Sequence, residues 1–248
     1  MWKLKTNEIS VIDFWKTQTS SLHRSSDPKF YERKALEHAS LMTSEERSSP
    51  CLDLGCGAGE LLEYLQRHVN VTTGLDYSES MLEVARQRLN GSGITLTNAD
   101  LFQYLKFSTE QTWMTTGAIN QYLDSKSLQR FLELFRNNEK ARSLYLFDCV
   151  DPIRYFIWPF GLSYLPEQKK QKSLRTYFRF AYRYARRAYV CMKLAVGLLD
   201  SSEVKLGIGM GYAYSPNQWR SILKSFDLDC EIVSSMFYEY RFHVIIRK

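Results

Sequence analysis

The chain has 248 residues, 44% hydrophobic and 24% charged, with a formal net charge of +6. This length suits one α/β domain carrying an insertion, and the composition excludes a disordered or collagen-like chain. No apolar run is long enough to span a bilayer, the opening residues (MWKLKTNEISVIDFWK) lack a secretory apolar stretch, and five cysteines without a regular framework point to a reducing compartment.

A cytoplasmic protein, membrane-peripheral at most, is therefore expected. Cys51 and Cys56 have no second ligand pair to complete a zinc site, so no metal is expected.

Residues 1–49 read as polar and helical, with aromatic punctuation at Phe14, Trp15, Phe30 and Tyr31. Asp27-Pro28 suits a helix start. This stretch is expected to form an N-terminal helical lid, separate from a domain over 50–248.

From Pro50 strands and helices alternate. CLDL is a short buried strand, and Leu61, Leu62 and Leu65 mark a helix within Glu60–His68. VTTGLD (Val71–Asp76) is a second strand, and Ser78 caps a second helix over Ser78–Leu89. Ile94–Asp100 is a third strand, Trp113–Ile119 a fourth, Ser127–Phe135 an amphipathic helix and Ser143–Asp148 a fifth strand. Such alternation implies right-handed crossovers and a parallel sheet covered on both faces. An insertion over about 152–212 breaks the rhythm. A capped helix (Ser215–Phe226) and a hairpin-like strand pair (Cys230–Ser235 and Tyr238–Arg247) close the chain.

The run CLDLGCGAGE (Cys51–Glu60) places a glycine turn between the first strand and the first helix. Its order is GxGxG, with Glu60 where the dinucleotide fingerprint carries its third glycine. A carboxylate at that helix start repels a pyrophosphate and favours a cationic or zwitterionic ligand. Asp76 closes the second strand, where an acid accepts hydrogen bonds from ribose hydroxyls. Asp100, followed by Leu101 and Phe102, offers an acceptor for an adenine amino group beside an apolar slot.

LDLGCGAG, then GLDYSESML, then NAD at the third strand resembles the class I S-adenosylmethionine-dependent methyltransferases. The resemblance covers roughly Pro50–Asp151 and the closing strands. It implies a Rossmann-like seven-stranded sheet with strand 7 antiparallel, and S-adenosylmethionine as cofactor. It further implies that Asp53, Gly55, Cys56, Gly57 and Gly59 line the methionine end. Asp76 would hold the ribose, Asp100 and Leu101 the adenine, and Tyr77 and Met81 would pack on the adenosine. Gly117, at the end of strand 4, completes the cofactor set.

Methyl acceptors are expected at the carboxyl ends of strands 4 and 5. Strand 4 runs into GAINQYLD, which lacks the motif of base amino-methylation, and no paired-glutamate hairpin of arginine methylation is visible. Asn120, Gln121 and Tyr122 offer neutral hydrogen bonding to a polyhydroxylated acceptor, or else cap the following turn. Candidate bases are Asp151, Tyr238, Glu239 and His23, while His68 and His243 read as structural.

The expected reaction is O-methylation of a polar small molecule or a sugar or glycan. The alternatives are an RNA methyltransferase and a cofactor-binding regulatory protein without turnover.

Segment 168–199 carries nine basic residues and no acid, so the rest of the chain is slightly acidic. Arg175, Arg179, Arg183 and Arg186 would share one helical face. That face is either the solvated side of a lid helix or a contact for an anionic surface; nucleic acid is disfavoured.

Overall fold

The first strand, β1 (Cys51–Leu54), is buried at all four positions, as a strand covered on both faces requires. The structure, a computed structural model, describes residues 29–117, 119–157 and 212–248, together with positions 189 and 192. His23, the Asp27-Pro28 helix start and the arginine face at 175–186 lie outside the described residues.

Strands β2 (Val71–Asp76), β3 (Thr95–Asn98), β4 (Thr112–Met114), β5 (Ser143–Val150), β6 (Cys230–Ser234) and β7 (Arg241–Arg247) join β1 in one sheet of order β3-β2-β1-β4-β5-β7-β6. The pairs from β3 to β5 are parallel, and β7 runs antiparallel to both neighbours. This is the Rossmann-like seven-stranded arrangement anticipated from the sequence.

Helices α1 (Phe30–Ser40), α2 (Ser44–Ser48), α3 (Leu62–Leu65), α4 (Glu79–Arg88), α5 (Leu101–Leu105), α6 (Ser125–Asn137), α7 (Pro152–Ile157) and α8 (Pro216–Ser225) surround the sheet. Side chains alternating along the strands divide the core in two. Leu144 and Leu146 of β5 join Leu52, Trp113, Phe131, Phe135 and Trp219 on the face beneath α6 and α8. Tyr145 and Phe147 join Ala35, Ala39, Leu62, Leu65 and Ile245 on the face beneath α1 and α3.

Local chemistry shifts several boundaries. α3 starts at Leu62 because Gly59, at φ 74°, cannot be helical. β4 stops at Met114: Thr115 still donates its N–H to the Tyr145 carbonyl, but Thr116 turns its backbone N–H and its hydroxyl to Asp53. Ser78 holds the N-cap position of α4 without a side-chain cap bond; its own N–H goes to Asp76 Oδ1 at 2.9 Å. α8 carries the full capping box, Ser215 with Gln218, and Pro216 in its first turn.

At the amino edge of the sheet, Glu46 of α2 ties three elements together. Its Oε1 accepts from Ser143 Oγ (2.7 Å) and Arg247 Nε (2.9 Å), and its Oε2 from Tyr145 Oη (2.6 Å) and the Thr43 N–H (2.8 Å). Burial alone would raise this carboxyl, but these donors outweigh it and hold it down at about 2.

A carboxyl depressed in the fold contributes stability that is complete above the ordinary carboxylate range and is lost as pH falls through about 2. Glu46→Gln should therefore destabilise the chain at neutral pH by roughly 1.5–3 kcal/mol in denaturant titration. The gap from wild type should narrow as pH falls below about 4.

Candidate cofactor and acceptor site

Two glycine-bearing loops meet above the carboxyl ends of β1 and β4. A Cβ on Gly117 would lie 2.0 Å from the Gly55 carbonyl oxygen, so this approach admits no side chain there. Gly57 has φ 56°, and nothing stands within 4 Å of where its Cβ would be. The loop thus presents bare backbone to open space. A ligand can come into direct contact with it, which is the fit S-adenosylmethionine needs.

Asp53 is fully buried and takes both the Thr116 N–H (2.9 Å) and the Thr116 hydroxyl (2.6 Å). Burial pushes its carboxyl up to about 7; the two Thr116 bonds oppose this, and the neighbouring Asp76 charge adds to it. Asp76 accepts the Gly57 N–H through Oδ2 and the Ser78 N–H through Oδ1, each at 2.9 Å, and burial raises its carboxyl as well.

The Cys56 thiol is driven far up, first by burial and then by the charges of Asp53, Asp76 and Glu60. The loop therefore sits in a field of three carboxylates, which suits a sulfonium and opposes a pyrophosphate.

The remaining cofactor candidates surround this loop. Met81 is buried on α4, and Tyr77 is half-buried at the end of β2. Asp100 is exposed, and its Oδ1 caps α5 by accepting the Gln103 N–H at 3.0 Å; Leu101 follows, partly buried against the core. Gly59 packs against Leu89 and Ala85.

On the acceptor side, a short 3-10 turn (Ile119–Tyr122) carries Asn120 and Gln121 into the protein. Asn120 Nδ2 donates to Cys149 Sγ at 2.8 Å, while its buried Oδ1 has no partner. Gln121 Nε2 donates to the Asp148 carbonyl at 3.3 Å. Tyr122 is half-buried on the same turn.

The three described candidate bases differ. Asp151 follows β5, but its Oδ1 caps α7 by accepting the N–H groups of Ile153 (2.9 Å) and Arg154 (3.1 Å). Tyr238 packs with Phe30 and Tyr240 beneath the Arg241 guanidinium, and burial pushes its phenol up to about 12. Glu239 is half-buried in the β6–β7 turn, where its carbonyl oxygen lies 3.5 Å from Arg154 Nη1.

Sequence reasoning missed a second group of polar residues nearby. Phe147 and Asp148 both lie opposite His243, because the β5–β7 register shifts between Leu146 and Cys149. This bulge, with Asp148 at φ 56°, turns the Asp148 carboxylate towards α1, where it pairs with Lys34. A bulge of one residue leaves no trace in the apolar run SLYLFDCV, so no sequence signal announces it.

Two mutations test the loop. Asp76→Ala should weaken S-adenosylmethionine binding by at least about tenfold in calorimetry, since each charge-assisted bond contributes roughly 1.5–3 kcal/mol. Asp76→Asn, which keeps one carbonyl oxygen for the loop, should retain the fold and still bind more weakly.

For Asp53 the sign is reversed relative to Glu46. Its raised carboxyl favours the folded chain while protonated, so this contribution is complete below the ordinary carboxylate range and is lost as pH rises through about 7. Asp53→Asn mimics the protonated acid. Between about pH 5 and about pH 8 its melting temperature should hold or rise relative to that of the wild-type apoprotein.

A family model described as a methyltransferase domain matches residues 51–139, from β1 through α6. No curated protein sequence matches the chain. Among solved structures, DhpI in a complex with SAM and HEP aligns with a TM-score of 0.59 at 13% identity, over 96% of this chain and 95% of that one. DesVI of Streptomyces venezuelae aligns with a TM-score of 0.54 at 16% identity, over 89% and 92%.

An O-methyltransferase family protein from Burkholderia thailandensis gives 0.53 at 11% identity, over 88% of this chain but only 56% of its own. At these identities the likeness is one of fold. The sheet order, the glycine loop between β1 and α3 and the acid closing β2 agree with the matched domain: residues 51–139 carry a methyltransferase domain, on a sheet with the fold of S-adenosylmethionine-dependent methyltransferases.

Proposed function

We propose that the chain methylates a hydroxyl group of a polar small molecule or sugar. The observation that carries this reading is Asn120. It stands on the turn after β4, it is 3% exposed, and its carbonyl Oδ1 lacks a donor. A buried amide oxygen without a donor is costly, and an acceptor hydroxyl supplies one. Once methylated, that oxygen can no longer donate, so the product loses the contact that positioned the substrate. The likeness of fold to a protein of an O-methyltransferase family supports the same reading.

When bound, S-adenosylmethionine supplies a methyl group activated by its sulfonium. The chain's own residues set the rest. Asp53, Asp76 and Glu60 provide a negative surround that accommodates a cationic ligand. Asn120 orients the acceptor. The proton leaves as the oxygen–carbon bond forms, and of the described candidates Glu239 has its carboxylate free of the capping that engages Asp151. Tyr238 stays protonated at neutral pH, because burial holds its phenol high.

An acceptor screen tests the proposal. The chain is mixed with S-adenosylmethionine and a panel of sugars, phenols and other hydroxylated small molecules, with a structured RNA as a separate arm, and S-adenosylhomocysteine is measured. Turnover should appear with a hydroxylated small molecule. Asn120→Leu should raise the KM for that acceptor by about tenfold or more, with cofactor affinity unchanged. Turnover on RNA alone, falling steeply with salt, would mean an RNA methyltransferase. Cofactor binding without turnover on any arm would mean a regulatory protein.

A further inference from the structure

Beneath the acceptor edge, six charged or titratable side chains from three elements converge in the core. Lys34, Glu37 and His38 come from α1, Asp148 from the β5 bulge, and Arg241 and His243 from β7. His38, Asp148 and His243 are fully buried, and Glu37 is 5% exposed.

His243 Nδ1 accepts the Asp148 N–H at 3.2 Å, and its Nε2 faces Glu37 Oε1 at 3.2 Å. The His38 ring stacks on Phe147, with centroids 3.8 Å apart and planes 6° from parallel. Yet both His38 nitrogens lack a partner, as do Glu37 Oε2 and Asp148 Oδ1. Four such atoms in one buried cluster are an unusual concentration of unmet bonding.

We propose that this pocket binds a divalent transition-metal ion, zinc above all, through His38, Asp148 and His243, with Glu37 holding the His243 ring in place. Ligand atoms of His38, Asp148 and His243 all lie within 4.8 Å of one another. Glu37 Oε1 accepts the Met236 N–H and faces His243 Nε2 at 3.2 Å, so it holds Nε2 as the protonated nitrogen and leaves Nδ1 to ligate the ion in place of the Asp148 N–H. Two imidazole nitrogens with one carboxylate oxygen form a three-ligand donor set suited to zinc.

Asp148 reaches Lys34 and Arg241 through Oδ2, which leaves Oδ1 for the ion. Lys34 is then a competitor as well as a neighbour. Its ammonium supplies Asp148 with positive charge when no ion is bound, and an ion on Asp148 would have to displace it. The ion would fasten α1 to β5 and β7. This departs from the sequence expectation of no metal, and it holds whether or not the proposed acceptor is right.

The test uses the whole chain and Zn²⁺ alone. Protein stripped with a chelator is titrated with zinc in calorimetry and in thermal melts, alongside elemental analysis of protein as purified. Wild type should take up about one equivalent and melt higher with zinc. His38→Phe, which keeps the stack on Phe147 but removes both nitrogens, should bind at least about a hundredfold more weakly. Lys34→Met should bind more tightly than wild type.

Circular dichroism and retained cofactor binding establish that the variants fold; if His38→Phe does not, Lys34→Met decides. No saturable uptake by wild type means that an ordered water or the ion pairs alone fill the pocket, and overturns the proposal. Equal binding by His38→Phe places the ion elsewhere, on the cysteines for example, and overturns it too. Lys34→Met binding no more tightly than wild type also overturns it.

Discussion

The site depends on how closely the loops after β1 and β4 approach each other. Gly55 and Gly117 meet backbone to backbone, and Asp53 reaches across to bind Thr116 twice. Because Asp53 is fully buried, these bonds form in a low-dielectric setting where geometry is strictly held. From there the constraint passes outward. Asp76 at the end of β2 takes the Gly57 N–H and so fixes the loop from its other side. The loop is clamped between two carboxylates, and the same carboxylates give it its charge. Shape and electrostatics of the cofactor loop thus come from one set of atoms.

That economy explains how much of the site could be read directly. Strand ends, glycines and acids of a βαβ unit lie close together in sequence, so their spacing alone indicates a shared edge. The GxGxG order with Glu60 predicts a cationic ligand, and the stretch that carries it matches a methyltransferase domain. Ser78 shows the limit of such reading: it stands at the N-cap of α4, but Asp76 takes its N–H and its hydroxyl makes no cap. Asp100 lies where an adenine-binding acid was expected and is also the cap of α5. Residue type identifies the position; competition between neighbouring donors decides the bond.

What stayed hidden is non-local. Glu37 and His38 sit in a stretch whose composition says only that it is polar and helical, yet Glu37 faces His243, 206 positions later, and His38 stacks on Phe147. The bulge that turns Asp148 inward occupies a run of eight buried residues with no break in hydrophobic pattern until the acid itself. Asn120 and Gln121 were legible as amides after β4, but not as buried groups bound to β5, because a strand reaching Ile119 would place them differently. Sequence reports periodicity well and departures from it poorly.

The polar ties of α1 and α2 to the sheet have a consequence for synthesis. Glu37 pairs with a residue 206 positions later, and Glu46 with one 201 positions later. A ribosome makes these acids some two hundred residues before their β7 partners. During elongation the early helices carry charges whose partners do not yet exist, and β5 has no neighbour on its β7 side. Until β7 emerges, these charges lack their native partners and are best satisfied by water. The opposite half, with β1, β2 and β3 contiguous in sequence, has no such wait. Closure of β5 by β7 is therefore a contact of high sequence separation, the kind that forms late.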